Sequence, residues 1–263
     1  MDAWSFVGRS VLCIALLAWA LWSDLSKREV ENWLPISLVV GGIGFAAADA
    51  AVSESIIPLV LCGLSGLFGF AIALAIFYSG SMGGADCKVF IGISTVFPLT
   101  LDSPLPLLSS INPFVSSGAR ILPMFSLSWL VNSLIISMAV PIGLAVKNFS
   151  DYLRGRIPNA SIRSIPAFFV GYRAKVRSLR PSFVIPMERF EDTGDGFRRV
   201  LRYTRRILEE EEEERLISEV KRRLGDEDEV WAFPYVPFMA PMFIAFLVTL
   251  FFGDIVVSIA MSL

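Results

Sequence analysis

Histidine is absent from the 263 residues, which removes the usual general base near neutral pH and the commonest zinc ligand. The three cysteines, Cys13, Cys62 and Cys87, form no Cys-x-x-Cys pair, so neither a metal site nor any other cofactor is expected. Cys13 and Cys62 fall within apolar runs and read as packed small hydrophobes. Cys87 has no histidine to activate it as a nucleophile. Charge is scarce too: Asp, Glu, Lys and Arg make up 18% of the chain, and none occurs between Glu54 and Asp86. No nucleic-acid-binding module is recognisable, and nucleic acid is not an expected partner.

What is abundant is apolar surface. Hydrophobic residues reach 54%, a level that points to a chain immersed in lipid rather than a soluble domain. Apolar runs lie near 3–23, 33–49, 56–79, 124–146 and 236–262, with a shorter one at 89–101. A helix needs about 20 residues to cross the hydrocarbon core. The expectation is therefore an all-α polytopic membrane protein of about six spans, the one at 89–101 too short unless flanking residues or a thinned bilayer help it. Ala18-Trp19-Ala20 resembles a signal-peptide cleavage site, but Asp2 and a single Arg make a weak leading region, and cleavage is not expected.

All but Arg9 and Arg120 of the 23 basic residues fall on one side of this map. The positive-inside bias puts the N-terminus outside, the large charged loop in the cytoplasm and the C-terminus outside a plasma membrane. Three regions follow: a membrane part over 1–147, a cytoplasmic loop or small subdomain over 148–232, and a last transmembrane helix over 233–263. In the loop, 154–189 is basic and interrupted by Pro158, Pro166, Pro181 and Pro186, which reads as irregular chain near lipid headgroups. Six glutamates at 209–214 and the bases that follow suit a helix, with Leu208, Leu216, Ile217, Val220 and Leu224 as a narrow apolar stripe. That helix is expected to be solvated and laced with ion pairs, the alternative being a surface helix on anionic lipid or a partner. Asn148-Phe149-Ser150 and Asn159-Ala160-Ser161 match the glycosylation pattern, but a cytoplasmic loop would leave both unused. The outer loop 102–123, with Pro104, Pro106 and Pro113, carries no nameable chemistry.

Two acids interrupt the apolar pattern in a suggestive way. Asp24 ends the first run, and Asp86 lies in Gly83-Gly84-Ala85-Asp86-Cys87-Lys88 at the mouth of another. A carboxylate at the edge of a hydrocarbon segment is costly unless partnered, so each is a functional candidate. The topology brings both to the cytoplasmic face. Close together they would share one proton, the arrangement that lets one carboxylate take a proton from water while the other polarises a peptide carbonyl. An inert ion pair with Arg28, four residues along the same helix face, is the plainer reading of Asp24. Glu29 and Glu31 read as solvated. Gly83 and Gly84 would let the backbone leave helical geometry and approach a ligand. Lys88 either snorkels to the interface or tunes the acid pair. Gly63, Gly66 and Gly69 recur every three residues and would draw the third span against the first.

Asp24 with its sequel Lys27-Arg28-Glu29-Val30-Glu31-Asn32, together with Gly83-Gly84-Ala85-Asp86-Cys87-Lys88, resembles the type IV prepilin peptidase family, and within it the archaeal preflagellin (archaellin) peptidase branch. The resemblance implies a GxGD-type aspartic protease of six spans. Asp24 and Asp86 match the two catalytic aspartates and Gly83 the first glycine of the motif, while Ala85 stands where the strict motif has glycine. The run Trp231-Ala232-Phe233-Pro234-Tyr235-Val236-Pro237-Phe238 is similar to the start of the last helix in these enzymes, although proline in a first helical turn explains it as well. The implied substrates are pilin- and archaellin-like precursors with class III-type signal peptides, whose short basic leaders are removed just before the apolar segment. The cysteine cluster often found in bacterial members is missing, so peptidase activity without N-methyltransferase activity is expected. A presenilin-like intramembrane protease and a proton-coupled transporter are the alternatives; no internal repeat supports the transporter.

Overall fold

The computed structural model describes residues 3–80, 82–98, 125–157, 165–181, 183–193, 196–203, 210–235 and 237–260. The outer loop 102–123, the Asn159-Ala160-Ser161 pattern, Pro158, Leu208 and Glu209 lie outside the described residues. The chain is mostly helical and separates into two compact units, Met1–Ser137 with Pro237–Leu263, and Met138–Val236.

In the first unit the helices are α1 (Ala3–Lys27), α2 (Trp33–Val52), α3 (Ile57–Tyr78), α4 (Gly84–Val96) and α5 (Phe125–Ser137), with two more near the C-terminus. Four stretches are long and apolar enough to cross a membrane: Trp4–Lys27, Trp33–Val52, Ile57–Tyr78 and Phe125–Leu153. In α3 the buried residues are Cys62, Ser65, Gly66, Gly69 and Ala73, while Leu64, Leu67, Phe68, Phe70 and Phe77 face outward. Small side chains inside and large apolar ones outside reverse the order of a water-soluble bundle and match packing in lipid.

Two helices are short for a membrane crossing, α4 as the run at 89–101 implies and the last one against expectation. α4 has 13 residues, roughly 20 Å of helix against a hydrocarbon core of about 30 Å. The apolar run at 236–262 is not one rod. Its helix ends at Phe252, where Gly253 adopts φ 80, and a second short helix runs Ile255–Ala260. Asn132 of α5 secures that break: its amide donates to Thr249 Oγ1 and Gly253 O, and its carbonyl accepts from the Ile255 N–H. Side chain and backbone thus satisfy groups that a helix end would leave bare.

α4 is the most enclosed element. Gly42 of α2 lies so close that a Cβ there would meet the Thr95 backbone at 2.7 Å; Cβ atoms at Gly66 and Gly69 of α3 would meet Thr95 and Ser94 at 2.6 and 2.4 Å. The α3 glycines therefore receive α4, not α1 as expected, and Gly63 has nothing within 4 Å. On the other flank Phe90 stacks on Trp129 of α5, with centroids 6.1 Å apart.

The second unit corrects the all-α expectation. After α6 (Ala139–Leu153) and α7 (Ile165–Val170) come β1 (Tyr172–Lys175), β2 (Val184–Pro186), β3 (Glu188–Thr193), β4 (Gly196–Leu201), α8 (Glu210–Arg223) and β5 (Glu229–Pro234). An antiparallel sheet has the order β1-β5-β2, with Tyr172 opposite Ala232 and Ile185 opposite Phe233; β3 and β4 form a hairpin. The supposed start of the last span at 231–234 is thus strand, and the supposed irregular chain over 154–189 contains a short helix, β1, β2 and the start of β3. Short strands broken by proline and rich in charge give little alternation to read. The helix stripe holds in part: Ile217 and Val220 bury against Ala174, Val176, Leu179, Ile185 and Val230, with Leu224 at the margin, while Leu216 stays outside this core. Its outer face carries the pairs Glu211–Arg215 and Glu219–Arg223. Buried Glu188 accepts the Trp231 N–H at 2.8 Å and pairs with Arg173. Asn148 is also buried, its amide donating to Phe168 O and Gly171 O, which leaves no room for a glycan.

Replacing Gly42 by alanine should cost about 1–3 kcal/mol through overpacking against the α4 backbone. Gly63→Ala should be neutral or stabilising by up to ~1 kcal/mol, since only helix propensity changes. Thermal unfolding of the two variants in detergent checks the contrast.

Candidate active site

Ser23, Asp24, Lys27 and Arg28 make the end of α1. The helix stops at Lys27 because Arg28 turns to φ 59, a conformation that side chains other than glycine and asparagine adopt rarely. Arg28 is thus not the simple next turn that an Asp24–Arg28 helix pair requires, although its charge still reaches Asp24. Ser23 pins the turn by donating to Glu29 O at 2.8 Å. Glu31 accepts from the Trp33 indole and lies 3.4 Å from Lys27, on exposed surface as expected of a solvated acid.

Asp24 is half-buried, with its carboxylate near the backbone N–H of Met239. Met239 is the first residue of α9 (Met239–Phe252), whose preceding residue, Phe238, offers no side-chain cap. Asp24 therefore sits at the N-terminus of another helix, where the orphan N–H groups and the helix dipole favour a negative charge.

Asp86 stands in the first turn of α4, third after the N-cap Gly83, with its carboxylate turned back toward Gly83. This is the position of the acid in a capping box. Asp86 is also half-buried, and it lies close enough to Asp24 for the two charges to act on each other. Of the residues singled out in the sequence, the two acids are thus brought within electrostatic range of one another, each at a helix N-terminus.

Gly83 and Gly84 flank Asp86, but for a different reason than backbone freedom. Gly83 has φ −69 and ψ 156, open to any residue. A Cβ at Gly83 would sit 3.4 Å from Asp86 Oδ2 and one at Gly84 would meet Phe77 at 3.5 Å. What the pair provides is bare backbone beside a carboxylate. Lys88 is exposed and donates to Asn32 Oδ1 at 2.8 Å, tying the start of α4 to the residue before α2. Trp19, Trp22 and Trp33 cluster on the surface near Asp24, as tryptophans do at a membrane–water interface.

At the other end of the first unit lies a pair that sequence reasoning missed. Arg9 of α1 and Asp49 of α2 are 2.8 Å apart. Opposite charges inside two apolar runs were the available signal, but nothing in the spacing of residues 9 and 49 joins them.

Because both acids sit at helix N-termini, removing them has a structural cost apart from any chemistry. Asp86→Ala and Asp24→Ala should each lower stability by about 0.5–2 kcal/mol, whereas the Asn variants keep an acceptor and should stay near wild type. Thermal unfolding in detergent of the four single variants gives the comparison.

Against protein-family models, residues 11–142 match the type IV leader peptidase family and residues 163–255 match the archaeal peptidase A24 C-terminus type II. Among characterised proteins, the chain is 25% identical to the preflagellin peptidase of Methanocaldococcus jannaschii, over 91% of each chain. It is 22% identical to the preflagellin peptidase of Methanococcus voltae, over 91% of this chain and 93% of the relative. The preflagellin peptidase of Methanococcus maripaludis is 23% identical, over 88% and 89%.

Proposed function

The chain belongs to the type IV leader peptidase family, a family of proteases, and from that premise we propose that it removes short basic leader peptides from preflagellin- and pilin-like precursors at the cytoplasmic face of the membrane, with Asp24 and Asp86 as the catalytic pair. What supports the mechanism is that the two half-buried carboxylates lie within electrostatic range of one another. Like charges at short range cannot both ionise readily, so the pair holds one proton. The ionised member takes a proton from water, which attacks the scissile carbonyl; the protonated member donates a hydrogen bond to the carbonyl oxygen and later a proton to the leaving amine. Gly83 and Gly84 leave space for substrate backbone beside Asp86, and Lys88 steadies the start of α4.

The proposed topology follows the distribution of basic residues: N-terminus outside, 148–232 in the cytoplasm, C-terminus outside. In this arrangement 89–101 and the last apolar region are the fourth and sixth crossings, each completed by residues flanking a short helix. A precursor with its basic leader in the cytoplasm and its apolar helix in the bilayer brings the scissile bond to the depth of the two acids. The names of the preflagellin peptidase relatives support the substrate class.

Purified enzyme incubated with an archaellin-type precursor should release a product whose new N-terminus lies just before the apolar segment. Asp24→Asn and Asp86→Asn should each lower the rate by at least about 10³-fold while the protein stays folded, the scale at which an acting carboxylate is removed. Cleavage within the apolar segment would mark an intramembrane protease, and an active double Asn variant would sink the mechanism.

A further inference from the structure

Among the described residues, Arg9 is the one basic side chain with no exposed surface. All three guanidinium nitrogens are engaged. Nε donates to Ser5 Oγ at 3.1 Å, one terminal nitrogen to Asp49 Oδ2 at 2.8 Å, and the other to the carbonyl oxygen of Val96. The Phe45 ring lies 5.3 Å from the guanidinium carbon. Val96 is the last residue of α4, so a cation held by α1 and α2 meets the negative end of the α4 dipole and one of its orphan carbonyls. Cys62 of α3 supports the same end, its thiol 3.5 Å from Thr95 O.

We propose that Arg9, held by Asp49, is a positioning residue for Asp86: by gripping the far end of α4 it fixes the axial position of that helix and so where its first turn presents the carboxylate. The inference rests on the reading of Asp86 as catalytic. The glycine contacts of Gly42, Gly66 and Gly69 set how closely α4 approaches its neighbours. A directional bond to its last carbonyl sets how far it can slide along its axis. Arg9 and Asp24 share α1, so one helix places its own acid and anchors the helix that carries the other. Asp86 and Val96 are about 15 Å apart along α4, three turns of a rod whose ends move together.

The test uses the full-length enzyme in lipid nanodiscs with an archaellin-type precursor. It reads kcat and KM, and separately the rate at which N-ethylmaleimide alkylates Cys87, resolved by mass spectrometry. Cys87 follows Asp86 and is buried, so its alkylation reports displacement of the first turn of α4 without reference to activity. Arg9→Met should lower kcat roughly tenfold to a hundredfold with KM changed by less than about twofold, as misplacement of a reacting group does. It should also speed Cys87 alkylation severalfold. Arg9→Lys, which keeps the charge but not the three-way grip, should fall between Arg9→Met and wild type on both readouts. Val11→Ala, on the outward face of α1, should change neither. A folded Arg9→Met or Arg9→Lys enzyme with wild-type kcat and wild-type alkylation would overturn the proposal. If Asp86→Asn still cleaves, the catalytic reading of Asp86 fails; Cys87 alkylation in Arg9→Met then still decides whether Arg9 positions α4.

Discussion

Everything near the two acids depends on one constraint: a helix too short to cross a bilayer must have both its ends satisfied from within the protein. Backbone N–H and C=O groups cannot be left bare in hydrocarbon, where each costs several kcal/mol. α4 meets this with its own Asp86 at the start and with Arg9 at the finish. Its length of 13 residues is therefore a source of the site's geometry.

The same constraint explains the company of each acid. Helix N-termini are the places in an apolar bundle where a carboxylate is welcome, because unpaired N–H groups and the dipole both favour negative charge. Asp24 takes the start of α9 and Asp86 the start of α4. The fold thus holds two carboxylates near one another, and the tension between their charges is eased by the helix ends and, at Asp24, by the charge of Arg28. Structure and chemistry draw on the same carboxylates, which is why Ala and Asn substitutions separate the two.

Much of the membrane part was legible from its apolar runs. α1, α2 and α3 fall close to the runs near 3–23, 33–49 and 56–79, because uninterrupted hydrophobicity is a strong signal. Asp24 and Asp86 stood out for the complementary reason, as charges where charge is costly. What the sequence hid was pairwise and long-range. The glycines of α3 announce a close approach but do not say which helix approaches, and the partner proved to be α4. Arg9 and Asp49 meet across forty positions with no periodicity to connect them. The sheet of the second unit escaped because β1 and β2 have only four and three residues, and the charge-rich hairpin of β3 and β4 has no clean alternation. By contrast, the α8 stripe repeats at helical spacing, and Ile217 and Val220 bury as that spacing implies.

The central claim is that Asp24 and Asp86 work as one unit sharing a single proton. The measurement that tests it most directly is the pH dependence of kcat/KM for wild-type enzyme on an archaellin-type precursor under single-turnover conditions. The account predicts a bell: activity falls at low pH as the pair gains its second proton and at high pH as it loses the shared one. A profile with one limb only, or one that is flat across the range in which the protein stays folded, would contradict a shared proton and require a different division of labour between the two carboxylates.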